Sequence, residues 1–315
     1  MKKILALALC LCLVLACFSG CGQSGSEYTV GICQFMEHGA LDAATEGFKA
    51  ALTEKLGDKV AFVEKNAQGE QTNCGTIVNK FVADGVDLIM ANATPALTAA
   101  REATNTIPVI GTSVTQYVPD FVADDQAPGG NITGASDLNP VDVQVRLMDA
   151  LCPGVETVGI VISSGEVNSQ VQADEAKAAF EKAGKTVKIY TAADSNDLQA
   201  VFTKACEEVD AFYEPTDNLV ANNMEIVKNV TVPAKKPVIC GEGNMCEAGG
   251  LATYSISYYK LGYAAGLQAY EILANGADPG ALPIEYMGND DLELVVNQEV
   301  ADGLGITIPE ELQAP

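Results

Sequence analysis

Continuous apolar runs alternate with amphipathic stretches along the first half of the chain after residue 27. Apolar runs of this length predict buried strands, and apolar positions three and four residues apart predict helices. The predicted strands are residues 28–34, 60–67, 87–93 and 108–113, and the predicted helices are 40–56, 71–83 and 96–104. Because these strands are apolar throughout, the pattern indicates a parallel sheet with helices on both faces.

A second alternation of the same kind follows a turn cluster at residues 126–131 and an extended segment at 132–137. Its predicted strands are 157–162, 186–191, 211–214 and 238–240, and its predicted helices are 141–151, 168–183, 196–207 and 219–230. Two similar halves predict an α/β fold of two Rossmann-like lobes, each built on a parallel sheet and joined to the other by a hinge.

The tail of the chain departs from this rhythm, with a long helix predicted at 258–273 and a short strand at 292–296. Extended segments precede both elements and would carry the chain between the lobes, so crossings are expected near Ser136, Ser255 and Pro283. The predicted division is lobe 1 at residues 28–136 plus about 256–283, and lobe 2 at residues 137–255 plus about 284–315.

The first twenty residues carry a pattern of their own, in which two lysines precede an apolar run that ends in small residues before Cys21. This order is typical of a secretory signal peptide over residues 1–20. A Cys directly after small residues resembles the lipobox of bacterial lipoproteins, which predicts a lipidated Cys21, a linker over 21–27 and a domain anchored to the outer face of the cell membrane. Two alternatives stay open: Cys17 as the lipidation site, and a transmembrane helix, although the run is shorter than the roughly 20 residues a span requires.

The charge of the chain limits its partners. The formal net charge is −24, and removing residues 1–20 leaves 16 basic against 42 acidic side chains, a net charge of −26. Such a surface repels nucleic acid and anionic lipid, and it does not attract a large anion such as a nucleotide.

The cysteines carry no sign of a metal or redox centre. The six that follow Cys21 are scattered and form no Cys-x-x-Cys or zinc-type spacing. Most lie in apolar segments, where a free thiol behaves as a small hydrophobic group. Pairing of Cys240 with Cys246 across a loop stays open as the alternative.

Candidate binding residues follow the predicted strands, because ligands of open α/β sheets bind outside the carboxyl ends of the strands. In the first half, Thr94, Pro95 and Ala96 begin a helix, and a helix start with a hydroxyl and open N–H groups suits a carboxylate. Thr112 and Ser113 follow the next strand and could bind the same group. The alternatives are an ordinary Thr-Pro helix cap and a polar turn.

The corresponding positions of the second half offer a different chemistry. Asn168 and Ser169 open a helix after one strand, and Asp217 and Asn218 follow another. A carboxylate here is placed to pair with an ammonium group, although N-capping would account for Asp217 equally well. Hydroxyls on one wall and a carboxylate on the other are the complement of a zwitterionic amino acid.

No catalytic or cofactor motif is present. His38 is the single histidine, and its i, i+4 spacing to Asp42 is a weak metal signal because Gly39 stands where the helix should start. The chain lacks a Gly-x-Ser-x-Gly element and a glycine-rich phosphate loop. We therefore predict a protein that is not an enzyme and holds no metal or cofactor.

With these residues in view, the chain resembles the tryptophan/tyrosine-type substrate-binding lipoproteins of ABC transporters, over residues 28 to about 309. The matching segments are Glu-His-Gly-Ala-Leu-Asp-Ala at 37–43, Asn-Ala-Gln-Gly-Glu at 66–70, Ala-Thr-Pro-Ala at 93–96, Ile-Pro-Val at 107–109, Pro-Gly-Gly-Asn-Ile-Thr-Gly at 128–134, Asn-Ser at 168–169, Pro-Thr-Asp-Asn at 215–218, Gly-Leu-Ala-Thr-Tyr at 250–254 and Tyr-Tyr-Lys-Leu-Gly at 258–262.

The resemblance implies a type I periplasmic-binding-protein fold with three crossings and a small ligand, often an aromatic L-amino acid, that an ABC permease and its ATPase import. It implies that Thr94, Thr112 and Ser113 hold the carboxylate and that Asn168 and Asp217 hold the other polar end. His38, Glu242 and Tyr254 complete the expected ligand-binding set. The rings considered for stacking against the ligand are Phe35, Tyr117, Tyr190, Tyr213 and Tyr254.

The chain departs from the family's pattern at the expected mouth of the cleft. Gly39 stands where we expect proline in many relatives, and Thr-Gln-Tyr at 115–117 stands where we expect Thr-Asp-Pro. The expected function is a monomeric, lipid-anchored binding protein of an ABC importer. The alternatives are a different small ligand, such as a branched-chain amino acid or a nucleoside, and a surface sensor coupled to a signalling partner.

Overall fold

The computed structural model describes residues 26–288 and 291–312, and it consists of two α/β lobes. The predicted signal peptide and Cys21 lie outside the described residues. The strands are β1 Tyr28–Gln34, β2 Val60–Asn66, β3 Leu88–Asn92, β4 Val109–Val114, β5 Ile132–Ser136, β6 Thr157–Ser163, β7 Thr186–Ala192, β8 Ala211–Glu214, β9 Val238–Cys240, β10 Ala252–Ser255, β11 Glu285–Tyr286 and β12 Glu293–Val296. The α-helices are α1 Gly39–Leu56, α2 Gln71–Asp84, α3 Thr94–Ala103, α4 Val141–Leu151, α5 Val167–Lys182, α6 Ser195–Cys206, α7 Asn218–Ala221, α8 Met224–Thr231, α9 Gly243–Ala248, α10 Tyr258–Asn275 and α11 Gln298–Leu304.

The two sheets have matching strand orders. The first is β11-β5-β4-β3-β1-β2 and the second is β12-β10-β9-β8-β6-β7. The pairings are parallel except that of β10 with β12, which is antiparallel. Every residue of β3, β4 and β5 is buried, as expected for strands covered by helices on both faces. The predicted fold class is therefore confirmed.

Most predicted elements lie within one or two residues of the observed ones. Residues 219–230, predicted as one helix, form α7 and α8 with a turn at Asn222 and Asn223 between them. The prediction did not include α9, β10 or α11. These elements are four to seven residues long, which is too short for a helical or alternating pattern to be recognised.

The chain passes between the two sheets three times, after β5, after β10 and between Tyr286 and Glu293. The third crossing lies beyond the predicted Pro283, because residues 285–286 pair with Ala135 and Ser136 at the edge of the first sheet. A two-residue strand of this kind has no pattern in the sequence that would have revealed it.

Helices α1 and α10 pack unusually close together on one face of the first sheet. Three glycines lie at the contact, and a Cβ on them would fall 2.0 Å from the Tyr259 carbonyl oxygen for Gly47, 1.9 Å from that of Ala44 for Gly262 and 2.6 Å from that of Phe48 for Gly266. The backbones of the two helices therefore touch directly. This contact fixes α10, and with it the second crossing segment, against the first lobe.

Candidate functional site

A small cavity of about 10 Å³ lies between the lobes, where the carboxyl ends of strands from both sheets face each other. The residues that line it are His38, Ala40, Leu41, Ser113, Thr115, Asp137, Asn168, Thr216, Asp217, Asn218, Ala221, Glu242 and Tyr258. This is where open α/β sheets place their ligands. Ten of the thirteen lining residues have polar side chains, and five of these are carboxyl or carboxamide groups.

The wall from the first lobe contains backbone conformations that are rare for residues other than glycine. Ala93, at the end of β3, has φ 85°, and Ser113, near the end of β4, has φ 55°. The Ala93 N–H donates to the Thr112 carbonyl at 2.9 Å, so the two loops hold each other. Such conformations are found where a site requires a particular backbone direction. The Ser113 hydroxyl is buried and has no hydrogen-bond partner among the described residues.

The wall from the second lobe presents carboxylates that cap helices. Asp217 accepts from the backbone N–H groups of Val220 at 2.9 Å and Ser163 at 2.7 Å, so it closes the start of α7 and ties β6 to β8. Glu242 accepts from the N–H groups of Asn244 and Met245, each at 2.6 Å, at the start of α9. N-capping and a place in the cavity wall therefore coexist in both residues.

Glu166, just behind this wall, holds two of the cavity amides. Its carboxylate accepts from the side chains of Asn168 at 3.3 Å and Asn218, and from the backbone N–H of Leu219 at 3.1 Å. The Asn168 side-chain oxygen is buried and has no partner among the described residues. Asn168 therefore offers an unused acceptor to the cavity.

Burial dominates the electrostatics of the site. It raises the pKa of Asp137 to about 6, that of Glu242 to about 7 and that of Glu166 to about 8, and the pKa of Asp217 also lies above its ordinary value. Burial lowers the pKa of the His38 imidazole, which is neutral at pH 7. Among the described residues, no Lys or Arg lines the cavity. The site thus gathers acidic groups without a protein cation to neutralise them.

Direct contacts join the two lobes across the cavity. His38 Nε2 and Asn218 Oδ1 are 3.0 Å apart, and Gln172 Nε2 donates to Thr115 Oγ1 at 2.9 Å. Gly39 lies against Asn244, where a Cβ would fall 2.6 Å from the side-chain oxygen. The lobes are therefore closed on each other.

A second pocket, of about 250 Å³, adjoins the cavity and shares Thr115 and Asn168 with it. Its other lining residues are Thr94, Thr98, Arg101, Gln116, Asp120, Phe121, Val167 and Val171. Val167 is 75% exposed, the largest exposed fraction among the large apolar side chains described. The second pocket therefore extends the polar cavity toward solvent along a partly apolar surface.

The residues predicted to bind ligand fall into three groups. Six line the cavity: His38, Ser113, Asn168, Asp217, Asn218 and Glu242. Thr94 lines the second pocket. Five line neither space: Pro95, Ala96, Thr112, Ser169 and Tyr254.

The residues that lie elsewhere have structural contacts of their own. Pro95 and Ala96 are buried in the first turn of α3. Thr112 is a buried strand residue, and Ser169 is a buried neighbour of Asn168. Tyr254 belongs to β10, where its N–H and carbonyl both bond to the Gln144 side chain.

The rings considered for stacking do not line the cavity. Phe35, Tyr117 and Tyr213 are buried in the cores of the lobes. Tyr190 lies on β7, at the edge of the second sheet, and its hydroxyl donates a hydrogen bond to the Glu208 carboxylate. Asp137 and Tyr258, which lie beside the crossing segments, were not predicted from the sequence. Thr115 and Thr216 were named there only as parts of motifs, at the mouth of the cleft and beside Asp217. Proximity to the predicted crossings was the available signal for Asp137 and Tyr258.

All six described cysteines are free and buried, including Cys240 and Cys246. The side-chain sulfur of Cys246 donates to the Val295 carbonyl at 3.6 Å instead. Burial raises the pKa of the thiols of Cys152 to about 11 and of Cys246 to about 12, so neither is reactive.

Comparison with known proteins places these features in a family. The model of the family described as ABC transporter substrate binding protein matches residues 29–315. A tyrosine-binding protein of Clostridioides difficile is 34% identical, over 96% of this chain and 92% of the relative. No helix in the described ranges is both long and apolar enough to cross a membrane.

Two solved structures differ in how well they superpose on this one. A domain from Streptococcus pneumoniae in complex with L-Trp has a TM-score of 0.87 at 36% identity, covering 91% of this chain and 98% of that one. A ligand-free, open substrate-binding protein from Clostridium difficile has a TM-score of 0.69 at the same identity, covering 90% and 96%. At equal identity, the structure is therefore more similar overall to the L-Trp complex than to the ligand-free, open protein.

Proposed function

We propose, from the premise that this chain belongs to the substrate-binding proteins of ABC transporters, that it captures an aromatic L-amino acid between its lobes and delivers it to an ABC importer. The observation that carries the proposal is a set of buried cavity atoms without partners in the described residues: Ser113 Oγ, Asp137 Oδ1 and Asn168 Oδ1. Buried polar atoms are nearly always hydrogen-bonded, and we propose that groups of a ligand bind these three.

The cavity walls complement the two charges of an amino acid. The acidic wall, with Asp137, Asp217 and Glu242, suits an ammonium group, since no protein cation lies there. The Ser113 hydroxyl and the start of α3 at Thr94 are proposed to bind the carboxylate from the other side.

The side chain of the ligand is proposed to lie in the second pocket, beside Phe121, Val167 and Val171. A ring placed there would cover the exposed Val167 and contact the Phe121 ring. The aromatic assignment also rests on the relatives, since one is named a tyrosine-binding protein and another was solved with L-Trp.

The mechanism we propose is closure of the lobes about the crossing segments. Ligand enters the open form and contacts both lobes, which favours the closed form by the difference in affinity between the two. The His38–Asn218 and Gln172–Thr115 contacts join the two lobes, so they stabilise the closed form and not the open one. The permease would then recognise the closed protein and release the ligand.

The remaining parts of the proposal concern setting and activity. Cys21 is the proposed lipid attachment site, which would hold a monomeric domain at the outer face of the cell membrane beside the permease. We assign the protein no catalytic step. His38, the one histidine in the sequence, is placed to hold the lobes together through Asn218.

A thermal-shift screen of the domain from Gln23 onward against the twenty L-amino acids, nucleosides and simple sugars tests this function. A ligand that binds the folded state only, at a hundredfold excess over its Kd, stabilises it by about 2.7 kcal/mol. We expect the largest shifts with Trp, Tyr or Phe. A shift with a nucleoside or sugar and none with an amino acid would overturn the ligand assignment and leave the family assignment intact.

A further inference from the structure

Asp137 lines the acidic wall of the cavity, on the first segment that joins the lobes. Its side chain is 5% exposed. One oxygen, Oδ2, accepts from the Tyr258 hydroxyl at 2.7 Å, and Tyr258 is the first residue of α10, directly after the second crossing. The hydrogen bond therefore ties two crossing segments together beside the cavity.

The other oxygen of this carboxyl group, Oδ1, is buried and has no hydrogen-bond partner among the described residues. The other two carboxylates of the cavity wall differ in this respect. Both oxygens of Asp217 and both oxygens of Glu242 accept backbone N–H groups. Asp137 is thus the lining carboxylate with one oxygen that has no hydrogen-bond partner among the described residues.

The groups around Asp137 favour a ligand group that is both positively charged and a hydrogen-bond donor. The titratable groups that share the cavity are Tyr258, Glu242, Asp217 and the neutral imidazole of His38. A neutral donor could satisfy one lone pair, but an ammonium group would also offset the repulsion between Asp137 and Glu242. The raised pKa of Asp137, about 6, is what burial without a cation produces.

We infer that Asp137 binds the α-ammonium group of the ligand through Oδ1, and that Tyr258 is the positioning residue that aims this oxygen into the cavity. This inference rests on the proposed function, and it adds the group that distinguishes an amino acid from a carboxylic acid of the same shape. Because Asp137 lies on a crossing segment, the ammonium group is held where the lobes turn.

The test compares each amino acid with its analogue that lacks the amino group. Calorimetric titrations use L-Trp with 3-(indol-3-yl)propanoate and L-Tyr with 3-(4-hydroxyphenyl)propanoate, on the wild type and on Asp137→Asn. The isosteric variant should weaken binding of the amino acid about 10- to 150-fold, the range for a hydrogen bond to a charged group. Binding of the analogue should be unchanged or tighter. The analogue has no ammonium group to pair with Asp137, and in the variant it no longer has to be buried beside that charged carboxylate.

Asp125→Asn is the matched control. Asp125 also has one buried oxygen without a partner in the described residues and accepts from a tyrosine, Tyr286, at 2.8 Å, but it lines neither the cavity nor the second pocket. It should leave both titrations unchanged. Tyr258→Phe should weaken amino-acid binding a few-fold in the wild type and have no further effect in Asp137→Asn, which a purely structural role would not produce.

The outcomes separate the inference from the function it rests on. If the wild type and Asp137→Asn bind an aromatic amino acid equally well, the inference is overturned and the proposed function stands. An equal loss of amino acid and analogue in Asp137→Asn also overturns the inference, since that pattern reports damage to the site and not loss of ammonium recognition. Wild type that binds no amino acid overturns the proposed function, and the inference falls with it.

Discussion

At the scale of single residues, the cavity depends on carboxyl groups that are buried without basic partners. Glu166 is the clearest case, because its carboxyl group orders Asn168 and Asn218 on the wall facing the other lobe. Burial raises its pKa to about 8, from an ordinary value of 4.5. The group is therefore protonated in the folded, ligand-free protein at neutral pH and ionised in the unfolded chain.

This difference makes stability depend on pH in a defined direction. The folded state binds a proton that the unfolded state releases above pH 4.5, so the contribution of Glu166 is fully present below that pH and is lost as pH rises through about 8. Glu166→Gln mimics the protonated form. The free energy of unfolding of the wild type should therefore fall relative to this variant, by up to about 1.4 kcal/mol per pH unit within that window.

Urea unfolding at pH 5, 6.5 and 8 measures this relative change in the absence of ligand. Glu225→Gln, at an exposed position of α8, is the control and should track the wild type at every pH. A constant difference between wild type and Glu166→Gln across the three pH values would show that the group does not change its ionisation on folding.

Which residues could be predicted from sequence follows from where each one lies. Ser113 lies near the end of a strand, and Asn168 and Asp217 lie in segments that follow strands. The rule that ligands bind at the carboxyl ends of parallel strands therefore predicts all three. Asp137 and Tyr258 lie beside crossings, where only the three-dimensional path of the chain brings them together. Tyr117 was considered as a stacking ring, but it fills the space that Gly111 and Gly134 leave open beneath the sheet.

At the scale of elements, the apolar runs and helical spacings were long enough to predict both sheets, but not the close contact between α1 and α10. That contact depends on glycines whose role is spatial. A Cβ on Gly262 would fall 1.9 Å from a backbone oxygen of α1, which cannot rotate away as a side chain can. Nothing in the local pattern indicates which helix a glycine will face.

Gly262→Ala should destabilise the protein by about 3 kcal/mol, because the two helices must move apart to admit the methyl group. Thermal or urea unfolding measures the loss. Gly75→Ala is the matched control, since Gly75 lies inside α2 with no atom within 4 Å of the added Cβ. It should stabilise by up to about 1 kcal/mol, through the better helix propensity of alanine. Equal effects of the two substitutions would contradict the role assigned to the contact.

For the molecule as a whole, the proposed closure mechanism requires two arrangements of the lobes. The present one is closed, as the contacts of His38 with Asn218 and of Gln172 with Thr115 indicate. Gly39, where we expect proline in many relatives, lies at this closed interface against Asn244. The sequence could mark this position as unusual but could not show that the other lobe packs against it.

Gly39→Ala should oppose closure, because its methyl group would lie 2.6 Å from the Asn244 side-chain oxygen. We expect aromatic amino acids to bind about 3- to 10-fold more weakly, which corresponds to about 1 kcal/mol. Calorimetric titration measures the change. In the Asn244→Ala background, where the clashing side chain is absent, Gly39→Ala should cause little further loss of affinity. An equal loss in that background would place the defect in the start of α1 and not in the interface.

We propose that an aromatic amino acid occupies the cavity between the lobes with its ammonium group at the acidic wall. The most direct test is a crystal structure of the protein grown with the L-amino acid that gives the largest thermal shift. We expect closed lobes and density for the ligand between them, with the ligand nitrogen within hydrogen-bond distance, about 3 Å, of Asp137 Oδ1. Density for the ligand outside this cavity would contradict the proposed site, and a ligand carboxylate at the acidic wall would contradict the proposed orientation.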